Sequence, residues 1–170
     1  MISASAVYRI IKEFVPNFLE SYESDYSTRL KVQKIIYLFE QFIDDDSYGF
    51  SWYLAGPYSS VLTHRVYSEI VSASKDTLNT WDSLSFNPEA IKKISRIQEF
   101  LNKSTDINST LNFEQRLELL ASVWYIAKKN FSLDEIKSKL LLNKPYFSNT
   151  DGLNNLVQLV ITTKGALCDI

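Results

Sequence analysis

Histidine and cysteine are the side chains that most often build metal centres and activate nucleophiles. This 170-residue chain has one of each, His64 and Cys168. One His and one Cys do not assemble a Cys/His zinc site. Asp44-Asp45-Asp46-Ser47-Tyr48-Gly49 puts a glycine where a calcium loop needs one, but the twelfth position counted from Asp44 is Ala55, which supplies no bidentate carboxylate. The run reads as a solvated acidic loop. Nucleophilic catalysis would need His64 as its base, and no motif ties a serine to it, so His64 reads as an ordinary helical residue. The glycines stand apart at 49, 56, 152 and 165, so no phosphate-cradling loop is present. Acids are plentiful, but no pair stands out. The chain lacks the equipment of the commonest enzyme classes, and no catalytic residue, metal or cofactor is expected.

Surface recognition remains. Lys31, Lys34 and Leu38 share one face of a helix and are close in sequence to Trp52, Tyr53 and Tyr58, with Arg65 on the helix that follows. Trp, Tyr and Arg are the residues most enriched in binding hot spots. Trp52 reads as a core anchor, whereas Tyr58, beside a Gly-Pro turn, fits core and interface equally. Lys+Arg 18 against Asp+Glu 20 leaves a net charge of −2, which argues against a general basic field for nucleic acid.

The elements that must position these residues are mostly helical. With 4 glycines and 4 prolines in 170 residues, the chain is too poor in turn formers for a many-stranded sandwich or barrel. Val7, Ile10, Ile11, Phe14 and Phe18 predict a first helix over 4–22, kinked at Pro16. A second runs from a cap at Ser27 or Thr28 to about Ile43. Alternating aromatics over 49–54 predict a short strand that Gly56-Pro57 ends. Ser59 caps a third helix carrying Leu62, Val66 and Ile70. The polar stretch 72–85, anchored by Trp81, is the place for a second strand pairing with 49–54. Asn87-Pro88 opens a fourth helix with Ile91, Ile94, Ile97 and Leu101, followed by a polar linker over 103–112. A fifth helix over 113–129, apolar nearly all round, is expected to be the most buried. Ser132 and Glu135 form a capping box for a sixth, which must stop before Pro145. A seventh spans 151–164 and stops at Gly165. The expectation is one mostly α domain over 1–170, with about seven helices and a short β-strand or hairpin after the second. A lone cysteine permits no intrachain disulfide, the first residues lack a signal-peptide core, and no window approaches the roughly 18 apolar residues of a membrane span. A cytoplasmic protein is expected.

Four segments carry a resemblance. Leu30-Lys31-Val32-Gln33-Lys34-Ile35-Ile36-Tyr37-Leu38 resembles the "LQKLLYL" helix of the Panacea and SocA-like antitoxin superfamily. Phe50-Ser51-Trp52-Tyr53-Leu54-Ala55-Gly56-Pro57-Tyr58-Ser59 resembles its "W…GPYS" turn, particularly in the YwgA-like branch. Leu117-Glu118-Leu119-Leu120-Ala121-Ser122 and Lys144-Pro145-Tyr146-Phe147-Ser148 are similar to that branch's "LELLAS" and "KPxFS" segments, in the same order. Val32 stands where leucine is commoner, and Ala55 where a larger residue often precedes the glycine.

The resemblance implies a mostly helical single domain encoded in prophages, defence islands or toxin–antitoxin loci, acting by binding a toxin protein directly. Lys31, Gln33, Lys34, Tyr37, Trp52, Gly56, Pro57, Tyr58 and Ser59 match its motif. Among them Gly56 permits a close approach, Pro57 sets the exit direction and Ser59 caps the third helix. Gln33 and Tyr37, one turn apart, are expected to hydrogen-bond the strand or turn, leaving Lys31, Lys34 and Tyr58 as the exposed interaction surface. The leading expectation is a non-enzymatic antitoxin or conflict-system protein that neutralises a partner protein. Its rivals are a phage-encoded anti-defence inhibitor of a host immune protein and a nucleic-acid-binding module using the Lys31/Lys34 face. The run of Asp44, Asp45 and Asp46 also offers phosphate-like charge to a basic groove.

Overall fold

The computed structural model describes residues 2–168. The Ser3 hydroxyl accepts the Ala6 amide and starts α1 (Ala4–Phe14). Val15, immediately before a proline, leaves helical dihedrals (φ −136°, ψ 73°). Pro16 therefore divides the helix expected over 4–22, and α2 (Phe18–Ser21) is only a single turn. α3 (Tyr26–Ile43) is capped by the Asp25 carboxylate, which accepts the Ser27 and Thr28 amides. The two residues expected to cap this helix thus lie inside its first turn. Asp44 closes α3 in a left-handed conformation (φ 53°), leaving the acidic run just past the helix end.

β1 (Ser51–Tyr53) and β2 (Gly56–Tyr58) pair as an antiparallel hairpin in which Trp52 faces Pro57 and Tyr53 faces Gly56. The Gly-Pro pair read as a strand terminator is itself the second strand. A two-stranded ribbon is all edge, so a proline without an amide to donate is tolerated there. The partner strand expected within 72–85 is replaced by α5 (Lys75–Ser83), which Ser74 caps by accepting the Thr77 amide.

Ser59 caps α4 (Ser60–Arg65), which continues through a π-helical stretch, Val66–Val71. α6 (Pro88–Ile107) opens at the Asn87 cap and extends into the segment expected as a linker. α7 (Phe113–Ala127) follows, then α8 (Leu133–Asn143), whose Ser132 and Glu135 form the expected capping box. A 3₁₀ stretch, Pro145–Asn149, leads to α9 (Leu153–Cys168), which continues through Gly165 instead of stopping there. Among the described residues there are nine α-helices and one short hairpin, a mostly α fold with more divisions than the seven expected.

α3 and α7 pack on one another at the centre; α7 also carries α8 and α9, and α6 covers α3 and α9. Every residue from 32 to 40 is buried, as is nearly all of α7 from Arg116 onward. The sequence pattern marked α7 as the inner helix, and α3 is equally enclosed. Truncating a fully buried member such as Leu120 to Ala would cost about 3 kcal/mol in lost transfer energy and cavity formation.

Candidate binding face around the hairpin

The hairpin is fixed to the helices by polar side chains that reach its backbone. Gln33 Nε2 donates to the Ser59 carbonyl at 3.0 Å and to Thr63 Oγ1 at 2.9 Å, and its Oε1 accepts the Ser59 amide at 2.8 Å. Ser59 Oγ donates to the Tyr48 carbonyl at 2.6 Å while accepting the Leu62 amide at 3.0 Å. One amide side chain thus reads both backbone groups of the helix cap, as its position a turn before Tyr37 predicts.

Tyr37 departs from expectation. Its ring packs edge-on against Phe50 with centroids 5.1 Å apart, and its hydroxyl meets no hydrogen-bond partner among the described residues. Burial pushes that hydroxyl well above the ordinary tyrosine range.

Lys34 is the larger correction. Expected on an exposed face with Lys31, it is 2% exposed, and its ammonium donates to the Pro57 carbonyl at 2.6 Å. The physical reason is that α3 is enclosed all round over residues 32–40. Leu38, on the same face, is fully buried, and only Lys31 stays half-exposed. Burial drives the Lys34 ammonium down to about 7, assisted by the like charge of Lys144 and opposed by Glu118. The basic Lys31/Lys34 face on which a nucleic-acid reading rested is therefore not formed.

Lys144 has no place among the residues the sequence nominated for the site. It is fully buried, and its ammonium donates to the Leu54 carbonyl at 2.9 Å, to Tyr146 Oη at 3.1 Å and to Glu118 Oε1 at 2.5 Å. Tyr146 also donates to Glu118 Oε1, and burial followed by that carboxylate raises its hydroxyl above the usual range. The signal available in the sequence was a lysine directly before Pro145 inside a segment already noted for its resemblance. Nothing local tied it to residues 90 and 26 positions away.

Gly56 is required twice. Its φ is +87°, and a Cβ built on it would lie 2.4 Å from Ser122 Oγ. Trp52 is half-buried, its ring 5.7 Å from that of Tyr125, with the Lys144 ammonium 5.7 Å from the Trp52 centroid. Arg65, expected to face a partner, is turned inward: its guanidinium donates to the Ile2 carbonyl at 2.5 Å, to Tyr48 Oη at 2.9 Å and to Glu69 at 3.0 Å. Those bonds tie the start of the chain to α4 and occupy Nε and Nη1. His64 is exposed on α4.

Tyr53 and Tyr58 do reach the surface. Tyr53 is 60% exposed, and Tyr58 is half-buried with ring centroids 5.5 Å apart and Thr63 Oγ1 donating to Tyr58 Oη at 3.0 Å. They meet two tyrosines absent from the sequence-level candidates, Tyr26 and Tyr67, around a cleft of about 250 Å³ whose wall includes Lys34 and Gly56. Burial, then the nearby Glu118 and Glu114, raise the Tyr26 hydroxyl above its ordinary range. At the hairpin tip Leu54 is exposed, as is Tyr146 beside Glu118.

Among the described residues no group of three His, Cys, Asp or Glu side chains is placed to hold a metal ion, and no helix is long and apolar enough to cross a membrane. Comparison with family models gave no match, and neither curated proteins nor solved structures gave a significant one.

Proposed function

We propose that this chain is a non-enzymatic protein-binding factor of a toxin–antitoxin or phage–host conflict system, neutralising a partner by direct contact through the hairpin face. One observation carries the reading: Tyr26, Tyr53, Leu54 and Tyr146 surround the Lys144–Glu118 anchor and are 59, 60, 83 and 59% exposed. Large apolar and aromatic side chains held out in water are what a partner surface buries with most gain. The hairpin beneath them is bonded to α3 through Lys34 and to the Pro145 segment through Lys144, so little ordering entropy is lost on binding. The partner class rests on the resemblance of four segments in order to the Panacea-type antitoxins. On this reading the protein acts in the cytoplasm.

The test is affinity purification of the tagged protein from its native host, with and without phage, followed by mass spectrometry, using the native chain and Tyr53→Ala/Leu54→Ser side by side. A stoichiometric partner encoded next door, captured by the native chain and lost with the double variant, supports the antitoxin reading. A host immune protein captured in the same way moves the assignment to an anti-defence inhibitor. Intact, folded bait that captures nothing specific sinks both.

A further inference from the structure

The cluster beneath the hairpin is one negative charge short. The charged groups acting on Lys34 are Glu118 and Lys144, so two buried ammonium groups share a single carboxylate. Leaving a buried charge uncompensated costs several kcal/mol, so such an ammonium either gives up its proton or takes up a counter-charge. An ammonium has three donors. Among the described residues that of Lys34 meets one acceptor, the Pro57 carbonyl. Lys34 also forms part of the wall of the cleft of about 250 Å³, beside Gly56, whose absent Cβ would stand 3.8 Å from its Nζ.

Much of the remaining wall is aromatic, and it holds a second cation, Arg29, whose Nη1 donates to the Tyr22 and Glu23 carbonyls. Tyr26, Tyr53, Tyr58 and Tyr67 line the cleft, which is concave and mostly apolar with two cations, Lys34 and Arg29, in its wall, the usual composition of a small-molecule site for an anion. We propose that this cleft binds a small aromatic carboxylate, its ring among the four tyrosines and its carboxylate on the Lys34 ammonium. The volume lies just under the roughly 300 Å³ at which sites for drug-sized ligands begin, so the ligand is a single ring. A monoanion supplies the counter-charge that Lys34 lacks, whereas a phosphate dianion would bring excess negative charge next to Glu118. Aromatic walls supply offset or edge-on ring contacts that a plain aliphatic acid would forgo. The site shares Tyr26 and Tyr53 with the proposed partner face but needs no partner protein, so benzoate binding by the isolated chain succeeds or fails independently of partner capture.

The test is titration of the isotope-labelled full chain with benzoate, followed by two-dimensional amide NMR, beside benzyl alcohol (ring without charge) and acetate (charge without ring). The expected result is saturable benzoate shifts confined to residues around 30–34 and 53–58, with benzyl alcohol and acetate at least tenfold weaker. Lys34→Met should bring benzoate down to the level of benzyl alcohol. No saturable shift, shifts centred elsewhere, or benzyl alcohol binding as tightly as benzoate would each overturn the proposal. The wild-type comparison of the three probes decides the matter even if Lys34→Met does not fold.

Discussion

Lys34 and Lys144 lie 110 positions apart in sequence and hold the two ends of one turn: the Lys34 ammonium bonds the Pro57 carbonyl at 2.6 Å and the Lys144 ammonium bonds the Leu54 carbonyl at 2.9 Å. Both are buried side chains, one from α3 and one from the segment after α8. Glu118 on α7 is the carboxylate between them in charge terms, bonded directly to Lys144 and acting on Lys34 at longer range. The hairpin is therefore anchored at the junction of three helical elements, which is what lets so short a sheet hold aromatic side chains outward.

Removing one partner of the buried pair should be costly. Lys144→Met leaves Glu118 without its ammonium and Leu54 without its donor, and the expected loss is about 3 kcal/mol. Urea unfolding measures it. Lys144→Met combined with Glu118→Gln should lose less than the sum of the two single variants, and strict additivity would show that the pair is not coupled.

Lys34 gives stability a pH signature of definite sign. Its folded value of about 7 lies below the ordinary 10.5, so between these limits the unfolded chain binds more protons than the folded one. Stability then rises with pH across that window, by at most about 1.4 kcal/mol per pH unit, and the burden of the charged form is fully present below it. Urea midpoints from about pH 6 to about pH 9 should climb for the native chain and stay flatter for Lys34→Met. Parallel curves would contradict the assignment.

Gly56→Ala combines two penalties that can be separated. The left-handed conformation costs about 1 kcal/mol for any residue with a Cβ, and the contact with Ser122 Oγ adds to it. Thermal melting should show Gly56→Ala strongly destabilised, with Ser122→Ala restoring part of the loss and never all of it. Full rescue would mean that the backbone is not strained.

The exposed tip should behave in the opposite way. Tyr53→Ala and Leu54→Ser remove side chains that are 60 and 83% exposed, so folding stability should change by no more than about 0.5 kcal/mol. Partner capture should fall at least tenfold. Calorimetric melting together with quantitative pull-down separates the two effects, and unchanged capture would remove these residues from the interface.

What the sequence determined by itself is the set of features that act over one or two helical turns. The caps at Ser59, Asn87 and Ser132, the apolar stripe of α7 and the link from Gln33 to the Ser59 backbone all stand where the pattern places them. Each depends on a side chain bonding or packing a few residues away, or on a motif whose two halves are adjacent elements. The tertiary structure alone decided which faces meet water. Lys34 occupies a position that reads as solvent-facing on an isolated helix, yet α3 is covered over residues 32–40 and the lysine is buried at the wall of the tyrosine cleft. The same enclosure recruited Lys144 to Leu54 across 90 residues, turned Arg65 inward to Ile2, and gathered Tyr26 and Tyr67 beside the hairpin. Spacing along a chain reports the angle of a side chain about its own helix. Whether another element stands at that angle is set by packing, because burial and charge pairing depend on neighbours distant in sequence.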